Sequence, residues 1–597
     1  MESSIFRYRI ALWVIGIYGL LVIYQLFNLQ IVNNTSFEEK SQENSIKKNV
    51  LSPPRGILFD RNFQVLVANK PSYTVRVTPA DYDTSNNKIL DKRLGEKPGF
   101  MKKILRQNRR FSSYIPVKIK RDADLPLIAW YEEHWEELKG IDYIVELQRD
   151  YSYGVKGSHI FGFIREISAS QLRKMKEQYD MGDFLGASGI EKTYEDYLRG
   201  KKGYQFTLVD SRQKTVGRYL EGNADIEPGK GFDLVLSIDA GAQKKAEEML
   251  EGKNGAVVAI DPSTGEVLVL VSKPDYDLSR LSTVISSDIW AEFMNDPQKP
   301  LFNRATMSIY PPGSTFKMVS AITALEEKII TPDFSVNCGG GYFYGNRFFK
   351  CTHVHGHVDL EQSIEKSCNT FYYQLILKIG LERWSDYASR FGFGRKTDLD
   401  ITEENAGILP TEKYYKRIYG NADFPSGVLL SLGIGQGEIS ATPVQLAQYC
   451  ALLANKGKSK KPHIVKGLIH SEDLTYIPLE FEDIDVHVSD ETFDIVRNAM
   501  LKVVQGAGTA THLRMPELLI AGKTGTAQNP HGKDHAIFIG FAPFDNPKIA
   551  VAVMVENSGF GSTYAAPIAK EVITQYLKPS PPSQNLISSA GKPIDED

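Results

Sequence analysis

The sequence predicts an α+β protein: a membrane helix, a scaffold module, and a C-terminal domain with an antiparallel sheet covered by helices. Three observations carry this. Ile10 to Val32 is a long, mostly apolar stretch without a charge. Near Gly231 the pattern changes, and Ala256–Asp261 and Glu266–Val271 flank the turn Pro262-Ser263-Thr264-Gly265. Those two strands are almost wholly apolar, as in a hairpin covered on both faces. Three further strands are expected far downstream, at Leu518–Lys523, His535–Phe541 and Ile549–Val555, and the short loop between the last two implies antiparallel pairing. Helical stretches separate the two groups, so five strands are expected to meet under a helical cover.

At ~1.5 Å per helical residue the first stretch reaches across a ~30 Å hydrocarbon core. Arg7 and Arg9 precede it, and Glu38 and Glu39 are among the first charges after it. This bias places residues 1–9 in the cytoplasm and the rest outside. A cleaved signal peptide and a buried core helix are the competing readings. The stretch exceeds a usual signal core, and Asn33-Asn34-Thr35-Ser36-Phe37 offers no A-x-A-like cleavage site, which favours an uncleaved single span over 10–32. The chain has 597 residues, enough for more than one domain, with 42% hydrophobic and 24% charged residues. A net charge of −3 gives no indication of nucleic-acid binding.

Residues 33–50 are polar and read as a juxtamembrane linker. Residues 33–230 together form the scaffold module, with extended structure through Val65, Val67, Tyr73, Val75 and Val77. Gly189 to Gly200 reads as one helix ended by a glycine cap. Phe232–Ile238 is expected as a strand and Ala242–Leu250 as a helix, opening a domain over 231–578. Residues 579–597, rich in Pro and Ser and ending in Asp-Glu-Asp, are expected to be disordered.

The chemistry centres on Tyr310-Pro311-Pro312-Gly313-Ser314-Thr315-Phe316-Lys317. A turn delivers the chain to a helix start, and Met318, Ile322 and Leu325 follow at helical spacing. Ser314 and Lys317 then share one face. A serine becomes a nucleophile when a base takes its proton, and a lysine of depressed pKa serves. The S-x-x-K pattern occurs six times, starting at Ser45, Ser85, Ser211, Ser314, Ser363 and Ser589, but only Ser314 has a turn before it and an amphipathic helix after it. S-x-N also recurs, at Ser85, Ser335 and Ser583 besides Ser367-Cys368-Asn369. Lys523-Thr524-Gly525 is the one K-[ST]-G in the chain, and Thr526 follows it. A strand edge presents N–H groups to an incoming carbonyl, a glycine permits close approach, and lysine and hydroxyls hold a carboxylate.

The ordered set Ser314-x-x-Lys317, Ser367-x-Asn369 and Lys523-Thr524-Gly525 resembles the penicillin-binding transpeptidases. Arg55-Gly56-Ile57-x-x-Asp60-Arg61 resembles the first motif of the class B N-terminal module, with Phe63 where that family usually has glycine. Gly433-Ile434-Gly435-Gln436-Gly437, Gly506-Ala507-Gly508-Thr509-Ala510 and Phe538 to Pro543 are also similar. Tyr-Pro-Pro-Gly before the serine, and the Gly189-x-Glu191-Lys192 block, look most like the elongation type, penicillin-binding protein 2. The resemblance implies a pedestal or dimerisation-type module before the transpeptidase domain. It implies that Ser314 attacks the D-Ala–D-Ala carbonyl of a peptidoglycan stem peptide and that Lys317 accepts its proton. Ser367 and Asn369 would relay the proton and hold the amide, with Lys523 in electrostatic support. Thr524, Gly525 and Thr526 would receive the terminal carboxylate, and the N–H groups of Ser314 and Thr526 would form the oxyanion hole. β-Lactams would acylate Ser314. A RodA-type SEDS glycosyltransferase and the elongation machinery are the implied partners, at the periplasmic side of the inner membrane.

Cys338, Cys351 and Cys368 lie close in sequence to His353, His355 and His357, a density of thiol and imidazole ligands that suits tetrahedral zinc. Some members of the family carry zinc beside the active site, and matching along the chain gives Cys338, Cys351, His357 and Cys368, with His353 or His355 as substitutes for His357. The residues themselves leave open a Cys338–Cys351 disulfide or free thiols. Cys450 reads as core, and Asp534 and His535 as structural neighbours of the Lys523 strand. Three other readings share parts of the pattern: a division-type transpeptidase, a membrane β-lactam sensor, and a β-lactam hydrolase. The His/Cys segment and the Tyr-Pro-Pro-Gly turn disfavour the first, and the synthase-like N-terminal module disfavours the second.

Overall fold

The charge-free apolar stretch forms part of helix α1 (Glu2–Phe27) in a computed structural model of the chain. That structure describes all residues except 1, 29–44, 109–112, 176–177, 181, 211–214, 283–284, 286, 421–424 and 579–597. Most of the expected linker, the expected disordered tail and the end of the 10–32 span therefore lie outside the described residues. Within α1, Tyr8–Phe27 has a mean hydropathy of 2.1, has no buried residue, and is long and apolar enough to cross a membrane.

The chain folds as two compact units. One comprises Met1–Pro54, Pro71–Leu147 and Gly200–Gly229. In it, strand Ile46–Leu51 pairs antiparallel with Gly203–Val209, and Val75, Val77, Leu90, Met101, Ile128 and Trp130 share one core. The other comprises Arg55–Lys70, Gln148–Arg199 and Lys230–Asp597.

Buried charge ties the early segments of this second unit together. Arg55 pairs with Glu191 and Glu195, while Arg149 donates to Glu191 at 2.7 Å and to the Gly56 carbonyl at 2.8 Å. Burial alone would raise the Glu191 pKa, but the Arg149 and Arg55 charges outweigh it and the carboxyl is held down. The expected single helix over Gly189–Gly200 is instead two short ones, Gly189–Thr193 and Glu195–Leu198. Tyr194 breaks the helical backbone between them, and its hydroxyl bonds Asp400 at 3.0 Å. Tertiary bonds to Glu191, Tyr194 and Glu195 thus override helix propensity.

The central sheet has five strands, all antiparallel, in spatial order β2-β1-β5-β4-β3. In chain order, helix α2 (Ala240–Met249) precedes β1 (Gly255–Ile260) and β2 (Val267–Lys273). Helices α3 (Lys317–Glu326), α4 (Leu360–Glu365), α5 (Asn369–Ile379), α6 (Pro443–Ala454) and α7 (Asp490–Gln505) come next. Strands β3 (Ala521–Ala527), β4 (His535–Ala542) and β5 (Ile549–Val555) and helix α8 (Gly561–Leu577) close the unit. Every residue of β1, β2 and β5 is buried, as continuous apolar runs require. Helix α6 packs on β1, β4 and β5, α8 on β4 and β5, and α2 on β2 and α8.

Two expected strands differ in detail. Asp233–Leu236 does form a strand, but it pairs with Leu58–Phe59 and Val465–Ile469 outside the central sheet. The last-domain strand expected at Leu518–Lys523 lies at Ala521–Ala527, so Lys523-Thr524-Gly525 is mid-strand rather than at an end. The apolar run Leu518-Leu519-Ile520 attracts a strand reading. The ladder instead begins where Ala521 faces Phe541, and it runs to Ala527 opposite His535.

Candidate active site

The site assembles where the Pro-Pro-Gly turn meets the open edge of β3. Gly313 sits at φ +56°, and a Cβ there would lie 2.7 Å from the Thr526 carbonyl oxygen and 3.2 Å from its nitrogen. Only glycine permits this approach. Gly525 has a related role: its missing Cβ makes room for Thr315 and the Pro312 carbonyl. What Gly525 admits from its Cβ side is the serine-bearing turn of the protein itself.

Ser314 stands in the 3-10 turn Gly313–Phe316, which runs directly into α3 at Lys317. In a 3-10 turn side chains three apart are nearly eclipsed, a closer alignment than the expected α-helical face provides. Ser314 is half-buried and Lys317 fully buried. The Lys317 Nζ donates to the Ser367 carbonyl at 2.8 Å, to Ser367 Oγ at 3.3 Å and to Asn369 Oδ1 at 2.7 Å. From the sheet, Lys523 Nζ donates to the same Ser367 Oγ at 2.9 Å. Ser367 lies between α4 and α5 at φ +59°, an unfavourable conformation for a residue with a Cβ. The tight reversal points its hydroxyl at both lysines and its carbonyl at Lys317.

Two ammonium groups joined through one buried hydroxyl cannot both remain charged. Burial drives Lys317 down to about 8, against the pull of the Cys351 and Cys368 sulfurs. Lys523 is pushed well below the ordinary lysine range, by burial first and then by the Lys317 charge. The pair is therefore able to accept a proton at neutral pH. The structure thus brings Lys317, Ser367, Asn369 and Lys523 into one hydrogen-bonded group, with Ser314 one 3-10 turn from Lys317. Thr524 and Thr526 lie on the adjoining strand.

The cysteine cluster abuts this group. The donor atoms of Cys338, Cys351, His355 and Cys368 all lie within 4.8 Å of one another. His355 Nδ1 is 3.5 Å from both the Cys338 and Cys351 sulfurs, and the Cys351 and Cys368 sulfurs are 4.0 Å apart. A tetrahedral ion with ~2.3 Å bonds to sulfur and ~2.0 Å bonds to nitrogen has edges of roughly 3.8 and 3.5 Å, so these donors fit one. None of the four cysteines is in a disulfide, so the Cys338–Cys351 bridge is not formed. His357 is not in the cluster. It faces Asn337 across the ladder of Ser335–Cys338 with Gly356–Asp359 and points to solvent, while Cys338 and Val358 are buried. Strand alternation turns His357 away, and His355, in the loop before the strand, takes the place. The Asn369 N–H donates to Cys351 Sγ at 3.2 Å, which links the cluster to the catalytic loop.

A model of the penicillin-binding protein transpeptidase domain matches residues 255–574, and one of the penicillin-binding protein dimerisation domain matches residues 50–236. The chain belongs to this family, the penicillin-binding peptidoglycan D,D-transpeptidases of the MrdA type. The peptidoglycan D,D-transpeptidase MrdA of Acinetobacter baumannii is 33% identical, over 96% of this chain and 88% of that protein. The crystal structure of Pseudomonas aeruginosa penicillin-binding protein 2 has a TM-score of 0.67 at 32% identity, covering 92% of this chain and 100% of that one. Penicillin-binding protein 2 of Helicobacter pylori, in complex with MreC, has a TM-score of 0.75 at 28% identity, covering 89% of this chain and 99% of that one.

Within this transpeptidase fold, two polar side chains at the site were marked in the sequence only as parts of familiar segments. The Thr509 and Thr524 hydroxyls are 2.6 Å apart. Gln436 Nε2 donates to the Thr526 carbonyl at 2.8 Å. The signal for both was a polar residue embedded in a glycine-rich run, which marks a loop pressed against another backbone. His535 and Asp534 have the structural contacts expected of them: His535 Nδ1 accepts from the Asn557 N–H at 3.1 Å, and Asp534 accepts from the Asn529 N–H at 3.2 Å.

Proposed function

We propose that Ser314 is the acylated nucleophile of stem-peptide cross-linking and that Lys317, Ser367, Asn369 and Lys523 move and hold its proton. The carrying observation is the convergence of both buried lysines on Ser367 Oγ, beside the turn that bears Ser314. Ser314 Oγ bonds to the D-Ala carbonyl carbon as Lys317 takes the hydroxyl proton. The N–H groups of Ser314 and Thr526 receive the developing oxyanion. Thr524 and Thr526 hold the terminal carboxylate, with Asn369 at the substrate amide. The C–N bond breaks, and the Lys317–Ser367 relay returns the proton to the departing D-Ala amine. An amine of a neighbouring stem peptide then attacks the ester, its proton returns to Ser314, and the cross-link forms without ATP. β-Lactams acylate the same serine.

The finer features follow the same reading. The module over 33–230 serves as the pedestal of the transpeptidase domain over 231–578. The α1 span anchors the chain in the cytoplasmic membrane with the catalytic domain in the periplasm. The partners are a RodA-type SEDS glycosyltransferase and elongation proteins, in keeping with the MreC complex of the Helicobacter relative. Zinc at Cys338, Cys351, His355 and Cys368 would fix the loop that carries Ser367 and Asn369, and takes no part in the acyl transfer.

Intact mass of residues 45–578 before and after benzylpenicillin tests the core of this. A persistent single adduct on Ser314 is expected, abolished in Ser314→Ala and retained in Ser363→Ala, whose hydroxyl is buried against the Leu360 carbonyl at 2.6 Å. Labelling retained in Ser314→Ala sinks the assignment. Turnover of the antibiotic without an adduct would make the chain a hydrolase. Under non-denaturing conditions an extra mass near that of zinc is expected, and under about a tenth of an equivalent in a metal assay counts against the metal.

A further inference from the structure

An oxyanion hole made of two backbone N–H groups on separate elements works only if the distance and angle between those elements are fixed. Here one group belongs to a 3-10 turn and the other to the free edge of an edge strand. Neither location is rigid by itself. The segment between Leu432 and Ala441 lies against both.

Three contacts define this clamp. Tyr310 and Ala441 exchange both backbone hydrogen bonds, at 3.0 and 2.9 Å, which fixes the chain four residues before Ser314. The Gly313 N–H donates to the Gly435 carbonyl at 2.8 Å, immediately before Ser314. The next side chain, Gln436, donates through Nε2 to the Thr526 carbonyl at 2.8 Å, and its Oε1 accepts from the Gln528 N–H at 3.4 Å. Gln436 is buried, and its own N–H bonds the Ser431 carbonyl at 2.9 Å. Gly435 is at φ +71°, and a Cβ there would lie 2.1 Å from the Gly313 oxygen, so the loop is pressed directly on the turn.

The strand geometry makes the Thr526 contact matter. In an extended strand the N–H and C=O of one residue point to the same side. The Thr526 carbonyl points off the sheet toward Gly313, so its N–H faces that way too. The carbonyl belongs to the Thr526–Ala527 peptide and the N–H to the Gly525–Thr526 peptide, so a side-chain amide on the carbonyl fixes the first plane and, through the extended backbone of Thr526, holds the second at the sheet edge. The dipeptide Gly435-Gln436 therefore holds the turn with its backbone and the strand with its side chain.

We propose that Gln436 is a positioning residue for the transpeptidase reaction, holding the Thr526 backbone so that its N–H and that of Ser314 converge on one oxygen. This rests on the reading of those two N–H groups as the oxyanion hole. The hydrogen bonds of Gln436 go to Thr526, Gln528 and Ser431, so its effect falls on stabilisation of the tetrahedral intermediate and not on proton transfer.

The test uses the full chain in detergent micelles with benzylpenicillin carrying carbon-13 at the β-lactam carbonyl. Gln436→Met and Gln436→Glu both keep the side chain's length; methionine has no donor at any pH, and glutamate has none while ionised. The saturating acylation rate is expected to fall roughly 10- to 100-fold, less than the loss of a direct oxyanion donor, with half-saturation changed less than about twofold. The infrared band of the acyl-enzyme carbonyl should move to higher wavenumber, because its hydrogen bonds are weaker. That shift is a readout that simple loss of packing would not give. Rates are compared below each variant's melting midpoint, and Gln436→Met carries the test if the buried carboxylate of Gln436→Glu unfolds the loop. Wild-type rates, or a fall in rate with an unmoved carbonyl band, would overturn the proposal. Absence of a Ser314 adduct in the wild type would instead overturn the catalytic reading beneath it.

Discussion

Lys317 has a pKa of about 8 because burial disfavours its ammonium form. In the proposed mechanism only the neutral amine accepts the Ser314 proton, so raising the pH through this value would increase the competent fraction. The acylation rate with a fluorescent penicillin is expected to climb from pH 6 and level off above about 8. A rate that falls over that range would assign the base elsewhere. Lys317→Arg keeps a cation that does not deprotonate, and should cost ~10²-fold or more. A second single-residue consequence lies at Phe63. The family usually has glycine there, and this chain holds Phe63 at φ +61° in the turn that Asp60 caps through the Asn62 and Gln64 N–H groups. A side chain in that conformation costs about 1–2 kcal/mol. After glycine's entropic penalty, Phe63→Gly is expected to raise stability by roughly 0.5–1 kcal/mol in thermal melts. The departure from the motif was visible in the sequence, but its strain was not, because φ is set by the closure of the turn.

Among the elements, α5 depends most on its surroundings. It begins at Asn369, behind an N-cap, Cys368, whose side chain makes no capping bond, and its first N–H is taken by Cys351 Sγ. The sulfur cluster thus does the work that a Ser or Asp cap does elsewhere. With zinc at the proposed site, treatment with a chelator, or Cys351→Ser, is expected to lower both the melting midpoint and the acylation rate. Restored zinc should recover the stripped wild type only, and an unchanged midpoint after complete metal removal would exclude the structural role. The density of cysteines and histidines over residues 338–368 was legible in the sequence, and the ligand set came from the family resemblance. The choice of His355 over His357 was not, because it turns on which face of a short ladder each imidazole occupies. The shift of β3 by a few residues has a similar origin: its register with β4 outweighed the apolar run before it.

At the scale of the whole molecule, the second unit is assembled from segments far apart in the chain, with Glu191 at 0% exposure and Arg149 at 1% beneath it. Breaking a buried ion pair on one side leaves an uncompensated charge and costs about 3–5 kcal/mol. Glu191→Met takes the carboxylate from the buried Arg149 and should therefore lower stability by about that amount in denaturant melts. The double variant Arg149→Met/Glu191→Met is expected to be less destabilised than the sum of the singles. Simple additivity would show that the pair is not coupled.

The sequence by itself determined the classes of chemistry and their order: a charge-free span, a serine before a lysine, a second serine with an asparagine, a lone Lys-Thr-Gly, and a thiol cluster. These are local patterns, and hydrophobic periodicity, turn residues and spacing express them within a few residues. Only the tertiary structure decided which groups meet. It placed two lysines on one hydroxyl across 50 and 156 residues of chain, aligned Ser314 with Lys317 through a 3-10 turn, and set Gln436 on the Thr526 carbonyl 90 residues away. Such contacts arise when distant backbones are packed closely enough that a buried polar group must find its partner there.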